Sequence, residues 1–140
     1  MNGAVLTVMG FDYGTRRIGV AVGQTLTRTA SPLRSVPVHA RRPDWDRITA
    51  WVSEYQPQKF IVGLPLSHDE RPHPLTDQVK RFSRQLTDRF RLPVEFIDER
   101  LSSHEAVGAA ADIDAEAARI ILESWLREHD ARSPASSAHT

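Results

Sequence analysis

Two short apolar runs joined by a polar connection constrain the fold of this chain most. Residues 4–11 (AVLTVMGF) and 18–23 (IGVAVG) are rich in apolar and β-branched residues, and the segment between them, DYGTRR, contains Gly14. Runs of this kind with a glycine in the connection are typical of an antiparallel hairpin. A third strand is predicted near residues 30–38, so the chain should begin with three strands joined by tight connections.

Helical and strand patterns alternate after these strands. Apolar residues recur at helical spacing within 44–56 and again within 75–90, which predicts two amphipathic helices. The continuous apolar segments KFIVGLP and LPVEFID are typical of buried parallel strands. A short helix near 103–110 and a long one from Asp114 to about residue 129 complete the pattern. The sequence therefore predicts an α/β fold whose mixed five-stranded sheet, antiparallel in strands 1–3 and then parallel, is flanked by helices.

The length and composition are those of one ordinary globular domain. Of the 140 residues, 40% are hydrophobic and 26% are charged, and we predict a folded domain over 1–130 with a disordered tail over 131–140. There is no cysteine, which excludes a disulfide framework and a thiolate zinc site and makes the cytoplasm the expected location. The N-terminal apolar run lacks a basic leader and is too short to span a bilayer, so no membrane partner is expected.

Positive charge is concentrated near the hairpin although the net charge is zero. No Asp or Glu occurs from residue 13 to residue 43. Such a basic segment on a neutral protein can attract a polyanion such as nucleic acid, and solvated loop charge is an equally good interpretation. The arginines of the segment are Arg16, Arg17, Arg28, Arg34, Arg41 and Arg42.

Acidic residues stand at the ends of three otherwise apolar elements. Asp12 ends the first strand, Asp98 and Glu99 end the strand VEFID, and Asp114 opens the last helix. Asp114 shares a helical face with the apolar residues of that helix, so it should point toward the sheet. Because ligands of α/β sheets gather beyond the carboxyl ends of the strands, these carboxylates are expected to converge there.

Converged carboxylates repel one another, and a hard divalent cation would relieve that repulsion. Magnesium prefers oxygen ligands and needs only a few carboxylates together with a phosphate. Two such ions can activate a water and stabilise the leaving oxygen of a phosphodiester displacement. In this interpretation Arg16, Arg17 and Arg100 contact the phosphate backbone.

Structural roles are open to the same residues. Asp12 would serve as a turn residue before Gly14, Asp114 as a capping or first-turn acid of its helix, and Asp98 as the ion-pair partner of Arg100. The residues alone leave both interpretations standing.

Four segments carry a resemblance to a known family. FDYGTRRIGVAVG, IVGLPL, DERLSS and IDAEAARIILESWL, within residues 4–128, resemble the YqgF family, also called RuvX, of pre-16S rRNA nucleases and Holliday junction resolvase homologues. The resemblance implies an RNase H-like fold and a nuclease that matures the 5′ end of pre-16S rRNA. It also implies a Mg²⁺ or Mn²⁺ site formed by Asp12, Glu99 and Asp114. Nucleic acid and ribosomal particles are then the expected partners of a monomer or weak homodimer.

The chain departs from the family pattern before its last motif. Relatives carry a longer glycine- and lysine-containing loop where this chain has only residues 105–113, and Asp112 stands where a basic residue is expected. Asp112 should therefore repel an incoming phosphate, and substrate binding should be weaker than in long-loop relatives.

Other functions compete with the pre-rRNA nuclease. One is a resolvase-like DNA endonuclease, and another is a non-catalytic RNA-binding factor of ribosome assembly. A third is a nucleotide-binding phosphotransferase, because DYGT also resembles the first phosphate loop of the actin and sugar-kinase group. That last group closes two such domains around ATP, and 140 residues hold only one.

Overall fold

A computed structural model of the chain describes residues 6–65, 75–98 and 112–139, with side chains up to residue 128 in the last range. Six strands form one mixed sheet in the order β4-β3-β2-β1-β5-β6, and three helices cover its two faces. The α/β class and the mixed sheet are thus confirmed. The strands are β1 Thr7–Tyr13, β2 Arg17–Gln24, β3 Thr29–His39, β4 Arg42–Pro43, β5 Lys59–Leu64 and β6 Val94–Asp98, and the helices are α1 Trp45–Tyr55, α2 Thr76–Phe90 and α3 Ile113–His139.

Alternation along β1 divides its side chains between two cores. Met9, Phe11 and Tyr13 are buried in the core that α1 and α2 cover. Val8 belongs to the core under α3, and a Cβ on Gly10 would meet Leu122 of that helix. Asp12 has the same parity as Val8 and Gly10, so its side chain lies on the α3 face of the sheet.

An aromatic cluster fixes α2 against β1. The Phe82 ring lies 5.3 Å from Phe11, 5.2 Å from Tyr13 and 5.6 Å from Trp45, measured between ring centroids. Aromatic pairs at these separations add to the free energy gained by burial alone. Trp125 is 2% exposed in the other core, which agrees with the packing role that apolar spacing indicates.

Several boundaries differ from the sequence-based expectation. A sixth strand, the two-residue β4, pairs with β3, and its shortness leaves no periodic pattern to detect. Asp12 lies inside β1 opposite Gly19 rather than after the strand. Helix α3 runs from Ile113 to His139, past the end at about residue 129 expected for the last helix, and the disordered tail expected over 131–140 stays a prediction. The division of the chain at residue 130 remains a prediction, and the short helix expected near 103–110 lies outside the described residues.

None of the helices that the structure describes is both long enough and apolar enough to cross a bilayer.

Candidate active site

One edge of the sheet gathers the elements that carry the predicted site. Strands β1, β5 and β6 are parallel, so their carboxyl ends lie at the same edge. The turn from β1 to β2 lies there, because β2 is antiparallel to β1. Helix α3 begins at this edge as well, where its first residues contact Arg17 and Ser35. The edge corresponds to the place where α/β sheets bind ligands.

Gly19 brings Asp12 and Asp114 close together. Asp12 and Gly19 are directly opposed in the antiparallel ladder, so their side-chain positions share one face. A Cβ on Gly19 would lie only 1.8 Å from the backbone oxygen of Asp114, so no other residue fits without a shift of α3. Because opposed Cβ atoms lie about 4.5–5.5 Å apart, the Asp12 Cβ lies within about 7 Å of that oxygen. The two aspartates predicted from the sequence are therefore neighbours.

Asp114 forms an ion pair with Arg17. The Arg17 Nε donates to the Asp114 Oδ2 at 2.8 Å, and the two side chains are 60% and 34% exposed. The hydrogen bond and the charge of Asp114 raise the pKa of the Arg17 guanidinium above its ordinary value. Asp114 thus faces the sheet, as its position on the helix predicts. Its carboxylate pairs with Arg17, which is predicted from the sequence to contact the phosphate backbone of the substrate.

Asp112 fastens the start of α3 to β3. Its Oδ1 accepts from the Ala115 backbone N at 3.0 Å, which caps the helix. Its Oδ2 accepts from the Ser35 backbone N at 2.8 Å and from the Ser35 hydroxyl at 3.1 Å. Both carboxylate oxygens are therefore used in positioning the helix, two residues before Asp114.

These contacts give Asp112 a structural role beside the one expected of it. Partial burial acts to raise the pKa of Asp112, but the hydrogen bonds from Ala115 and Ser35 together hold it below its ordinary value. The carboxylate therefore carries a negative charge at neutral pH, and it lines the same cleft as Arg17 and Asp114. The expected repulsion of an incoming phosphate stays a prediction.

A cleft of about 280 Å³ opens beside these residues. It is lined by Arg17, Ser35, Asp112, Ile113 and Asp114. Ile113 is 57% exposed at its rim.

The other predicted site residues are placed as follows. Arg16 is exposed in the β1–β2 turn, where its backbone oxygen accepts from the Val38 N at 2.8 Å. Asp98 is half-buried at the end of β6. Glu99 and Arg100 lie outside the described residues, as does most of the short connection at 105–113. The structure therefore brings together Asp12, Asp114 and Arg17 from the predicted set.

The donors at this edge suit a hard divalent cation. Asp12 and Asp114 supply carboxylate oxygens, which Mg²⁺ and Mn²⁺ prefer over nitrogen or sulfur. The part of the chain that the structure describes holds no group of three or more His, Cys, Asp or Glu side chains able to share a metal. Glu99 lies outside that part. Asp12 and Asp114 therefore fit a metal site in which further ligands complete the coordination.

Sequence reasoning missed Ser35 and Gly19 as site-building residues. Neither position carries a chemical signal of its own, because each acts through contacts far along the chain. Asp112 did carry one: an aspartate close to the start of a predicted helix, three residues ahead of Ala115, is a common N-cap.

The sequence of this chain is similar to a known family and to individual proteins of known name. Residues 6–128 match the sequence profile of the family described as "RuvX: Holliday junction resolvase". The chain is 44% identical to a protein of Saccharophagus degradans over 88% of its own length and 94% of that protein. It is also 44% identical to a protein of Legionella pneumophila, over 87% of this chain and 96% of that one. Both carry the name "Putative pre-16S rRNA nuclease".

Among solved structures, the chain is similar to the RuvC of T. thermophilus in complex with a Holliday junction substrate. The TM-score is 0.56 at 16% sequence identity, covering 90% of this chain and 96% of that chain. Likeness at this identity concerns the fold, and it agrees with the RNase H-like architecture that the sequence motifs imply.

Proposed function

Because the chain belongs to the RuvX family, described as Holliday junction resolvase, we propose that it is a metal-dependent nuclease that hydrolyses phosphodiester bonds. The observation that carries the proposal is the placement of Asp12 and Asp114. Gly19 is opposed to Asp12 in the sheet and approaches the backbone of Asp114, at the edge where three parallel strands end. Two aspartates whose backbone positions lie this close can direct both carboxylates to one cation.

Asp12, Glu99 and Asp114 are the proposed ligands of Mg²⁺ or Mn²⁺. Glu99 directly follows the last residue of β6, at the carboxyl end of that strand. When bound, the metal supplies the activation of water and the charge stabilisation that phosphodiester hydrolysis needs. The protein contributes fixed geometry, because Asp112 and Ser35 hold the start of α3 in place.

Arg17 is proposed to bind the phosphate. Its guanidinium is exposed and is already beside Asp114, so a phosphate entering the cleft would meet it first. Arginine recognises phosphate oxygens with paired hydrogen bonds. Arg16, in the β1–β2 turn, and Arg100 are also proposed to contact the phosphate backbone.

Precursor 16S rRNA is the proposed substrate. Two relatives with 44% identity that cover nearly the whole chain carry that substrate in their names. We therefore place the activity in 5′-end maturation of this RNA, in the cytoplasm, with ribosomal particles as partners. A resolvase-like action on branched DNA is the second candidate, favoured by the family description and by the fold of the junction-bound RuvC.

The test is a cleavage assay that offers both substrates. Purified protein is incubated with a 16S rRNA precursor and with a four-way DNA junction, in Mg²⁺, in Mn²⁺ and in EDTA, and the new ends are mapped. We expect cleavage near the mature 5′ end of the RNA in the presence of metal and none in EDTA. Asp114→Asn serves as the inactive control, and Asp88→Asn, on the exposed face of α2, as the matched active control.

Each alternative has its own result. Cleavage of the junction alone would replace the RNA assignment with a DNA one. RNA binding without cleavage under any metal condition would indicate the assembly factor and would contradict the nuclease.

A further inference from the structure

A pair of arginines lies on the opposite face of the sheet from Asp114. Tyr13 follows Asp12 in β1 and points to the other face, where its ring packs on Phe82 of α2. Arg41 and Arg81 line a narrow surface crevice, called the seam below. Its other lining residues are Tyr13, Gln78, Phe82 and Gln85. The two arginines thus lie beside Tyr13, which directly follows the proposed metal ligand Asp12 in β1.

Among the described residues, no carboxylate pairs with either of these two arginines. Both side chains are exposed, and within the described ranges neither lies within 4.0 Å of a carboxylate oxygen. Burial raises the pKa of Tyr13, and the charges of Arg81 and Arg41 act in the opposite direction, which places both guanidinium groups near the phenol. Arg119, by contrast, is held by Glu116 and Glu123.

The turn that presents Arg41 is conformationally unfavourable. Ala40 and Arg41 connect β3 to β4 as a two-residue turn, with φ of 50° and 66°. Hairpin turns with positive φ at both positions favour Asn and Gly, which tolerate that region far better than Ala or Arg. A non-glycine residue held at such φ values is a reason to look for a function.

The shape of the seam indicates the size of the partner. Its cavity is about 10 Å³, which is at the limit for a single water molecule. A nucleotide or other small ligand could not enter it. On α2, the residues Gln78, Arg81 and Gln85 follow one another at helical spacing, so they offer amide and guanidinium donors in a row along the surface.

We infer that the Arg41 and Arg81 surface is a second contact for the phosphate backbone of the nucleic acid bound at the active site. The bound polynucleotide crosses the edge of the sheet beside the end of β1 and touches both faces. The inference rests on the proposed function, because it assumes a nucleic acid substrate. A row of exposed and half-buried donors, beside a cavity too small for a nucleotide, suits a repeating anion. Phosphate contacts of this kind position a nucleic acid without reading its bases.

The test is the salt dependence of binding in an inactive background. A labelled RNA hairpin is titrated with Asp12→Asn protein in Mg²⁺ and with the same protein carrying Arg41→Gln and Arg81→Gln. The slope of log affinity against log salt should fall by about 1.4–1.8 in the double variant, since each lost phosphate contact removes about 0.7–0.9. The matched control is Arg127→Gln, an exposed arginine of α3 about 21 Å along the helix from its start.

A second measurement separates this surface from the chemistry. In the active protein, Arg41→Gln with Arg81→Gln should raise KM while kcat stays unchanged, and replacement of both by Lys should restore KM. Thermal melting checks that each variant is folded. If the double variant is unstable, the single variants replace it, and each should show half of the change in slope.

The outcomes are distinct. Equal slopes in the parent, the double variant and Arg127→Gln would overturn this surface while leaving the active site intact. A parent that binds no nucleic acid at any salt concentration would overturn the proposed function itself.

Discussion

The Arg17 guanidinium holds the carboxylate of Asp114, with 2.8 Å between Nε and Oδ2. This contact competes with the proposed roles of both residues, because a cation bound to the Oδ2 of Asp114 would be repelled by an arginine at the same oxygen. Arg17 is exposed and can turn away without disturbing the core. The pair therefore keeps Asp114 neutralised before metal and substrate bind.

Removal of Arg17 should strengthen metal binding in the absence of substrate. Arg17→Ala is expected to lower the Mg²⁺ dissociation constant by less than about tenfold, since an exposed ion pair contributes little. Isothermal titration measures the change, and Arg16→Ala, in the same turn, is the control that should leave it unaltered. If Arg17→Ala instead weakens Mg²⁺ binding, the pair is not a competitor of the metal.

Asp112 should contribute to stability through its helix cap. Asp112→Ala is expected to lower the free energy of unfolding by about 1–2 kcal/mol, because both the cap and the Ser35 contacts are lost. Asp112→Asn should recover part of the loss, since an amide oxygen can still cap Ala115. Urea unfolding gives the values. Asp77→Ala, an exposed first-turn acid of α2, is the matched control and should change stability much less.

The same residue predicts a pH dependence. The pKa of Asp112 is lowered in the folded protein, so its stabilisation is present above the unfolded pKa, about 3.9 for Asp. That stabilisation is lost as the pH falls through the folded pKa. The difference in unfolding free energy between the wild type and Asp112→Asn should therefore shrink below about pH 4. A constant difference from pH 7 to pH 3 would contradict an ionised cap.

The three proposed metal ligands should act as one unit. Asp12→Asn, Glu99→Gln and Asp114→Asn are each expected to reduce cleavage by more than about a hundredfold, because loss of even an indirect metal partner costs 10- to 100-fold. Circular dichroism should show folded protein in each case. Wild-type rates in any two of these variants would remove the site.

Gly19 should tolerate no side chain. Gly19→Ala places a Cβ 1.8 Å from the Asp114 backbone oxygen, so α3 must move or the strand must bend. We expect a loss of about 2–3 kcal/mol in the free energy of unfolding, as in overpacked cores, together with loss of cleavage. Gly10→Ala is a graded comparison, because its Cβ would meet the Leu122 side chain at 3.0 Å and should cost less. Equal effects at the two positions would mean that the contact of Gly19 with the Asp114 backbone is no more restrictive than that of Gly10 with Leu122.

The elements of this fold could be predicted from the sequence because their signals are local. The apolar, β-rich runs 4–11 and 18–23, joined by a connection that contains Gly14, predicted the hairpin. Helical spacing predicted α1 and α2 to within a few residues. The acid at the end of each apolar element indicated Asp12 and Asp114 as site residues. These candidates were thus accessible without a structure, and their role as metal ligands stays a prediction.

Only the tertiary structure decided which side chains meet. Arg17 and Asp114 are 97 residues apart in the chain, and Ser35 and Asp112 are 77 apart, so no periodicity connects them. The sequence places an acid at Asp112, but its hydrogen bonds from Ser35 and Ala115 follow from the packing of α3 on β2 and β3. Strand and helix patterns are local properties, whereas the partner of a polar group depends on how the elements pack.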